Sequence, residues 1–129
     1  MKNQEELNKI TAQILDACIT VHKEMGPGLL ESIYEECLMK EFELRRIKAL
    51  NQVPIPLFYK GYKLKKDFKA DILIEDEVII EIKSCEGMIP LYSAQIITYL
   101  KLADKRVGIL VNFNEVLLKD GYKRFVNNF

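Results

Sequence analysis

No stretch of the 129 residues approaches the roughly 20 consecutive apolar positions that a membrane-spanning helix needs, so a membrane partner is not expected. Cysteine is scarce. Cys18, Cys37 and Cys85 are far apart and odd in number, which excludes a complete disulfide framework and makes zinc a poor expectation. Cys18 and Cys37 lie within helical patterns and read as small buried hydrophobes. The single histidine, His22, has no partner at useful spacing and reads as structural. The formal net charge is zero, which argues against a protein that grips nucleic acid by overall electrostatics alone. Repeats, linkers and low-complexity segments are lacking, and the polar segment Met1 to Glu6 has no apolar signal-peptide core. The expectation is a cytoplasmic protein with a single domain over residues 1–129.

The composition, 49% hydrophobic and 29% charged, is that of a globular chain. Its charge is distributed unevenly. Lys60, Lys63, Lys65, Lys66 and Lys69 crowd one segment against Asp67, while Glu31, Glu35, Glu36, Glu41 and Glu43 make another acidic. Lysines of this kind serve either as a solvated sheet edge or as a track for a phosphate backbone.

Leu7, Ile10, Ile14, Ala17, Val21 and Met25 recur at helical spacing and predict a helix from about Gln4 to Glu24, ended by Gly26-Pro27-Gly28. A second helix is predicted from about Leu30 to Arg46, with Ile33, Tyr34, Cys37, Leu38, Phe42 and Leu44 on a broad apolar face. Residues 50–58 alternate, but Pro54 and Pro56 restrict them to an edge or irregular strand. After a turn at Lys60-Gly61 the chain stays extended from Tyr62 to Glu75. Val78 to Ser84 is the most β-like stretch. Pro90 opens a helix to about Ala103, Val107 to Asn112 reads as a buried strand, and Tyr122 to Val126 as a short terminal one.

Alternation sets Phe68, Ala70, Ile72 and Ile74 on one face, with Lys69, Asp71 and Leu73 on the other. In the next strand Val78, Ile80 and Ile82 share a face, leaving Ile79, Glu81 and Lys83 opposite. If both apolar sets face one core across the loop Glu75-Asp76-Glu77, Ile74 pairs with Val78, Ile72 with Ile80 and Ala70 with Ile82, so Asp71 lies across from Glu81. Opposed carboxylates repel in a purely structural hairpin, yet they form a natural oxygen pair for Mg²⁺. Lys83 points the same way, where an ammonium can hold an attacking water or steady charge developing on a phosphate. The E-x-K spacing by itself carries little weight, because thirteen glutamates and fifteen lysines generate about 1.5 such pairs by chance. A solvated polar sheet face is the competing reading.

Asp71 followed by Glu81-Ile82-Lys83 resembles the D…(D/E)xK signature of the PD-(D/E)XK nuclease superfamily, with Ala70 in place of the usual proline. Gly28-Leu29-Leu30-Glu31-Ser32-Ile33-Tyr34 is similar to the motif of the GxxExxY family within it. The likeness extends from about Ile10 to Val126 and takes in Gln52-Val53-Pro54, Tyr59-Lys60-Gly61, Ala94-Gln95, Tyr99-Leu100 and Asn112-Phe113.

The resemblance implies an α/β fold in which a central mixed β-sheet is flanked by α-helices, two of them N-terminal, with the metal site at one sheet edge. It implies that Asp71, Glu81 and the Ile82 carbonyl bind Mg²⁺ or Mn²⁺, that Lys83 is catalytic, and that Glu31 is directed at the metal. Gln95 and Tyr99 match a Q-x-x-x-Y element that steadies the active site or the nucleic acid. Two readings of Glu31 stand, a metal-linked carboxylate on the inward stripe of Tyr34 and Phe42, or a cap reaching back over the helix start. Tyr34 reads as a packing residue whose hydroxyl bonds a site group. Family members often carry histidine near Leu91-Tyr92-Ser93 and arginine at Lys69. The expected function is metal-dependent hydrolysis of DNA or RNA, with Lys60 to Lys69 steering the backbone. A homodimer suits the cutting of both strands of a duplex. The alternatives are a non-catalytic binding or interaction module, and a phosphodiesterase for small nucleotides.

Overall fold

The computed structural model describes residues 2–129; Met1, the first residue of the polar N-terminal segment, lies outside them. Among the described residues the order is α1 (Gln4–Met25), α2 (Glu31–Leu44), β1 (Ala49–Tyr59), β2 (Tyr62–Ile74), β3 (Val78–Lys83), α3 (Pro90–Ala103), β4 (Val107–Asn112), a 3₁₀ turn (Leu118–Gly121) and β5 (Tyr122–Val126). The strands form one mixed sheet in the order β1-β2-β3-β4-β5. Among the described residues only β3 and β4 run parallel, because α3 carries the chain across the sheet between them. The α/β class, the mixed sheet and the two leading helices are those expected. Among the described residues no helix is long and apolar enough to cross a membrane.

Local chemistry explains where the helices begin and end. The Asn3 side chain accepts from the Glu6 amide at 2.8 Å while the Glu6 carboxylate accepts from the Asn3 amide at 3.2 Å, a reciprocal cap that starts α1. Leu7, Ile10, Ile14, Ala17 and Val21 are buried along its length, whereas Met25 at the end of that stripe is exposed. Gly26 (φ +75°) and Gly28 (φ +96°) then turn the chain through left-handed backbone that glycine adopts without strain. α2 stops two residues earlier than its apolar pattern predicts. Arg46 takes φ +59°, and the Ile47 amide donates to Phe42 O, closing the last turn. Its buried stripe narrows accordingly to Tyr34, Leu38 and Phe42, leaving Leu44 exposed.

Both faces of the sheet are covered. Ile72, Ile74, Val78, Ile80, Ile82, Ile109 and Val111 pack against α1 and α2, whereas Leu73 and Ile79 pack with Leu100 of α3. Each such side chain contributes about 1.5–3 kcal/mol on burial. Gly108 permits α3 to come close: a Cβ there would lie 3.0 Å from the Ile96 side chain. β1 is an edge strand, as its prolines require, and its register shifts between Pro56 and Phe58.

One expectation fails at Asp71. Phe68 and Ala70 join the cluster under α3, while Ile72 and Ile74 join the one under α1 and α2, so these four do not share a face. Beyond Ile72, β2 loses β3 as a neighbour and pairs only with β1. Two-stranded ribbons twist more strongly, and Gln52 on β1 takes φ +50° beside the change.

Tyr34 ties the inter-helix turn to the core. Its ring stacks on Phe113 at 4.4 Å, and its hydroxyl donates to Gly26 O at 2.6 Å and accepts from the Leu29 amide at 3.1 Å. The hydroxyl therefore bonds the backbone of the turn. Tyr34→Phe keeps the stacked ring and strands those two backbone groups, so it should cost about 1–3 kcal/mol in a denaturant melt. An unchanged midpoint would show that the turn is held elsewhere.

Candidate active site

The β2–β3 ladder runs through Ile74–Val78, Leu73–Ile79 and Ile72–Ile80, the register expected from the three-residue loop. One step further the backbone pairing gives way to side chains. The Asp71 amide donates to Glu81 Oε2 at 2.9 Å, and the Ile82 amide donates to Asp71 Oδ2 at 2.8 Å. Ala70 and Ile82 are thus not paired, contrary to expectation. The strands have begun to separate, and two carboxylates satisfy the amides left over.

This arrangement places two acids close together and partly out of water. Burial, reinforced by the Asp71 carboxylate, pushes Glu81 up to about 8, against the lowering effects of the Asp71 amide and Lys83. Asp71 is also raised, first by burial. The Ile82 amide opposes the shift, Glu35 and Glu31 add to it, and Lys83 opposes it. Tyr99 of α3 is raised by burial and then by Glu81 and Asp71, so its hydroxyl shares their field.

Beside the pair, reached through Asp71, lies an open cleft of about 910 Å³, lined in part by Gly28, Glu31, Glu35, Gln52, Asp71 and Ile82. Glu31 is exposed rather than inward-pointing. It accepts from the Ser84 amide at 3.3 Å, while α2 has no side-chain cap, so the capping reading is corrected. The helix start is instead held by Ser84 Oγ, which donates to Leu29 O. Lys83 lies with its ammonium 4.4 Å from the centre of the Tyr92 ring. Gln95 is half-buried one turn before Tyr99 and makes none of these hydrogen bonds.

The structure thus brings Asp71, Glu81, Ile82, Glu31, Lys83 and Tyr99 together. Lys60, Lys63, Lys65 and Lys66 lie out along the β1–β2 hairpin, and only Lys69 is near its root. Glu35 was missed by sequence reasoning, although it follows Glu31 by four residues on one helix face. Its carboxylate accepts from Asn51 at 3.1 Å and Gln52 at 2.7 Å. Asn112 was noted only as part of a resemblance. Fully buried, it accepts from the Cys85 and Asn114 amides and donates to Cys85 O, fixing the chain where it leaves β3.

Among the described residues no three His, Cys, Asp or Glu side chains are gathered as a metal cluster. The donor set nevertheless fits Mg²⁺ or Mn²⁺. A hard cation of this kind takes one or two carboxylates and fills its remaining positions with water and substrate oxygens. Burial raises both acids first, and neighbouring carboxylates add to it, Glu35 and Glu31 at Asp71 and Asp71 at Glu81; a cation between them would offset that cost.

A family model described as the PD-(D/E)XK nuclease superfamily matches residues 8–125, from α1 into β5. No curated protein and no solved structure matches the chain.

Because folding raises the Glu81 acid, the folded state holds its proton more tightly. That stabilisation is complete below the ordinary value of 4.5 and is lost as the pH climbs through about 8. Glu81→Gln removes the titration. Thermal melts should therefore show the parent losing ground to the variant between about pH 5 and pH 9, and Mg²⁺ should recover part of the parent's loss. Parallel pH profiles would rule out a strongly raised Glu81.

Proposed function

The chain belongs to the PD-(D/E)XK nuclease superfamily, and from that premise we propose that it is a divalent-metal-dependent nuclease hydrolysing phosphodiester bonds of DNA or RNA. The observation that carries this reading is the crossed pair of hydrogen bonds between β2 and β3, which holds Asp71 and Glu81 across from each other, with neither in an ion pair among the described residues. A purely structural hairpin gains nothing from that repulsion. The Gly28, Glu31 and Tyr34 spacing supports the narrower GxxExxY family.

On this reading Asp71 and Glu81 hold Mg²⁺ or Mn²⁺, with the Ile82 carbonyl and Glu31 in supporting positions. The bound ion supplies Lewis-acid polarisation of the phosphate. Lys83, kept near by Tyr92, orients the attacking water or steadies charge developing on the phosphoryl oxygens. Gln95 and Tyr99 border the site from α3, and Lys60 to Lys69 attract the substrate backbone.

Cleavage of labelled DNA and RNA in Mg²⁺ or Mn²⁺ tests this. Lys83→Ala and Glu81→Gln should each lower turnover by about 10²–10³-fold or more while the protein still melts cooperatively, and Asp71→Asn should remove Mn²⁺ binding in calorimetry. Nucleic-acid binding insensitive to EDTA, with no turnover and no Mn²⁺ binding, would replace the enzyme by a non-catalytic binding module on the same fold.

A further inference from the structure

The β1–β2 hairpin extends well past the sheet. β3 pairs with β2 only at Ile72–Ile74, whereas β1 accompanies β2 out to Tyr59–Tyr62 and the turn at Lys60-Gly61. Every residue from Phe58 to Asp67 is exposed. A two-stranded arm without a third strand is marginal in water, and a cross-strand aromatic pair adds only a little to its stability. Yet the tip holds Tyr59 at 63% and Tyr62 at 76% exposure, with Phe58 and Leu64 also exposed.

Apart from the bulge at residues 64–66, where the register with β1 shifts, the period of two divides the arm into two faces. Tyr62, Leu64, Lys66 and Phe68 alternate along one side of β2, with Tyr59 directly opposite Tyr62. Lys63, Lys65 and Lys69 alternate along the other. At the root, Phe68 stacks on Tyr99 at 4.2 Å, and Tyr99 lies in the field of Glu81 and Asp71. The aromatic face therefore runs from the tip to Tyr99 of α3, on the α3 side of the sheet beside the two acids. From Tyr62 to Asp71 the strand rises about 30 Å, long enough for several nucleotides to lie along it.

We propose that this arm is the docking surface for a single-stranded nucleic acid, whose bases stack on Tyr59 and Tyr62 while the lysines hold its phosphates. The link to cleavage rests on the nuclease reading above; the binding does not. Five lysines against Asp67 suit a polyanion. The exposed rings choose between its forms. In a duplex the base faces are already stacked on one another, whereas unpaired bases present them to any aromatic platform. A single strand also needs one cut, so one copy of the chain suffices.

Fluorescence anisotropy in EDTA, with a 20-nucleotide oligothymidine and a blunt duplex of equal length, tests the proposal apart from catalysis. The parent should bind the single strand at least tenfold more tightly. Tyr59→Ala with Tyr62→Ala should weaken it about tenfold per ring, leaving the duplex unchanged. Lys63→Gln with Lys65→Gln should reduce the slope of log affinity against log salt by about 1.4. Equal or tighter duplex binding, or tyrosine variants that bind like the parent, would overturn the proposal. So would a parent dimer that the tyrosine changes dissolve without affecting binding, which would make the arm a contact between copies. The two readings fail separately: cleavage indifferent to the tyrosines discards the arm and keeps the nuclease, while the expected binding without cleavage does the reverse.

Discussion

The separation of β2 from β3 after the Ile72–Ile80 pair organises the rest of the molecule. Apolar residues clamp the two strands from both faces, so a slip of one residue would reverse every side chain between the two packed layers. That penalty fixes Asp71 opposite Glu81. Once the strands part, the Asp71 and Ile82 amides need acceptors, and the carboxylates provide them. The backbone's demand for partners thus orients the two acids. Each commits one oxygen, Oδ2 or Oε2, and the other oxygen makes no hydrogen bond among the described residues.

The zero net charge conceals a strong internal division. Acidic groups gather where α2 meets the separating strands, with Glu31 on the Ser84 amide and Glu35 on Asn51 and Gln52. Basic groups are carried outward on the hairpin. Lys83 is the exception, a cation kept at the acidic end beside Tyr92. Asn112 helps maintain this arrangement, since its three hydrogen bonds anchor the chain just after Lys83 and Ser84.

Much of this was legible in the sequence because it depends on short-range patterns. The stripe of α1, the edge position of a strand containing Pro54 and Pro56, and the Asp71–Glu81 register all follow from periods of 3.6 or 2 and from loop length. Contacts between distant elements were not legible in that way. Glu31 bonding the Ser84 amide spans 53 residues, and no local rule separates that partner from a helix cap. The face change at Asp71 was hidden for a related reason. Alternation assumes a uniform ribbon, whereas the twist here changes when β2 loses a neighbour, a fact of sheet topology. Lys83 over Tyr92 likewise requires knowing how α3 lies on the sheet.

The basic arm and the acidic cleft cannot substitute for each other. At physiological ionic strength exposed charges are screened over about 8 Å. Lysines at a tip about 30 Å from Asp71 can hold a polyanion and guide it inward, but they cannot offset the repulsion between its phosphates and Glu31, Glu35, Asp71 and Glu81. Neutralisation has to occur inside the cleft. There Lys83 supplies one positive charge against four acids, two of them already raised by burial and by their acidic neighbours. A phosphodiester entering this site therefore requires either protonated carboxylates, which make poor ligands and poor bases, or a cation held between them. On the proposed nuclease reading only the second leaves the oxygens of Asp71 and Glu81 free to do chemistry at neutral pH, so the proposed arm and the proposed metal belong to one electrostatic scheme.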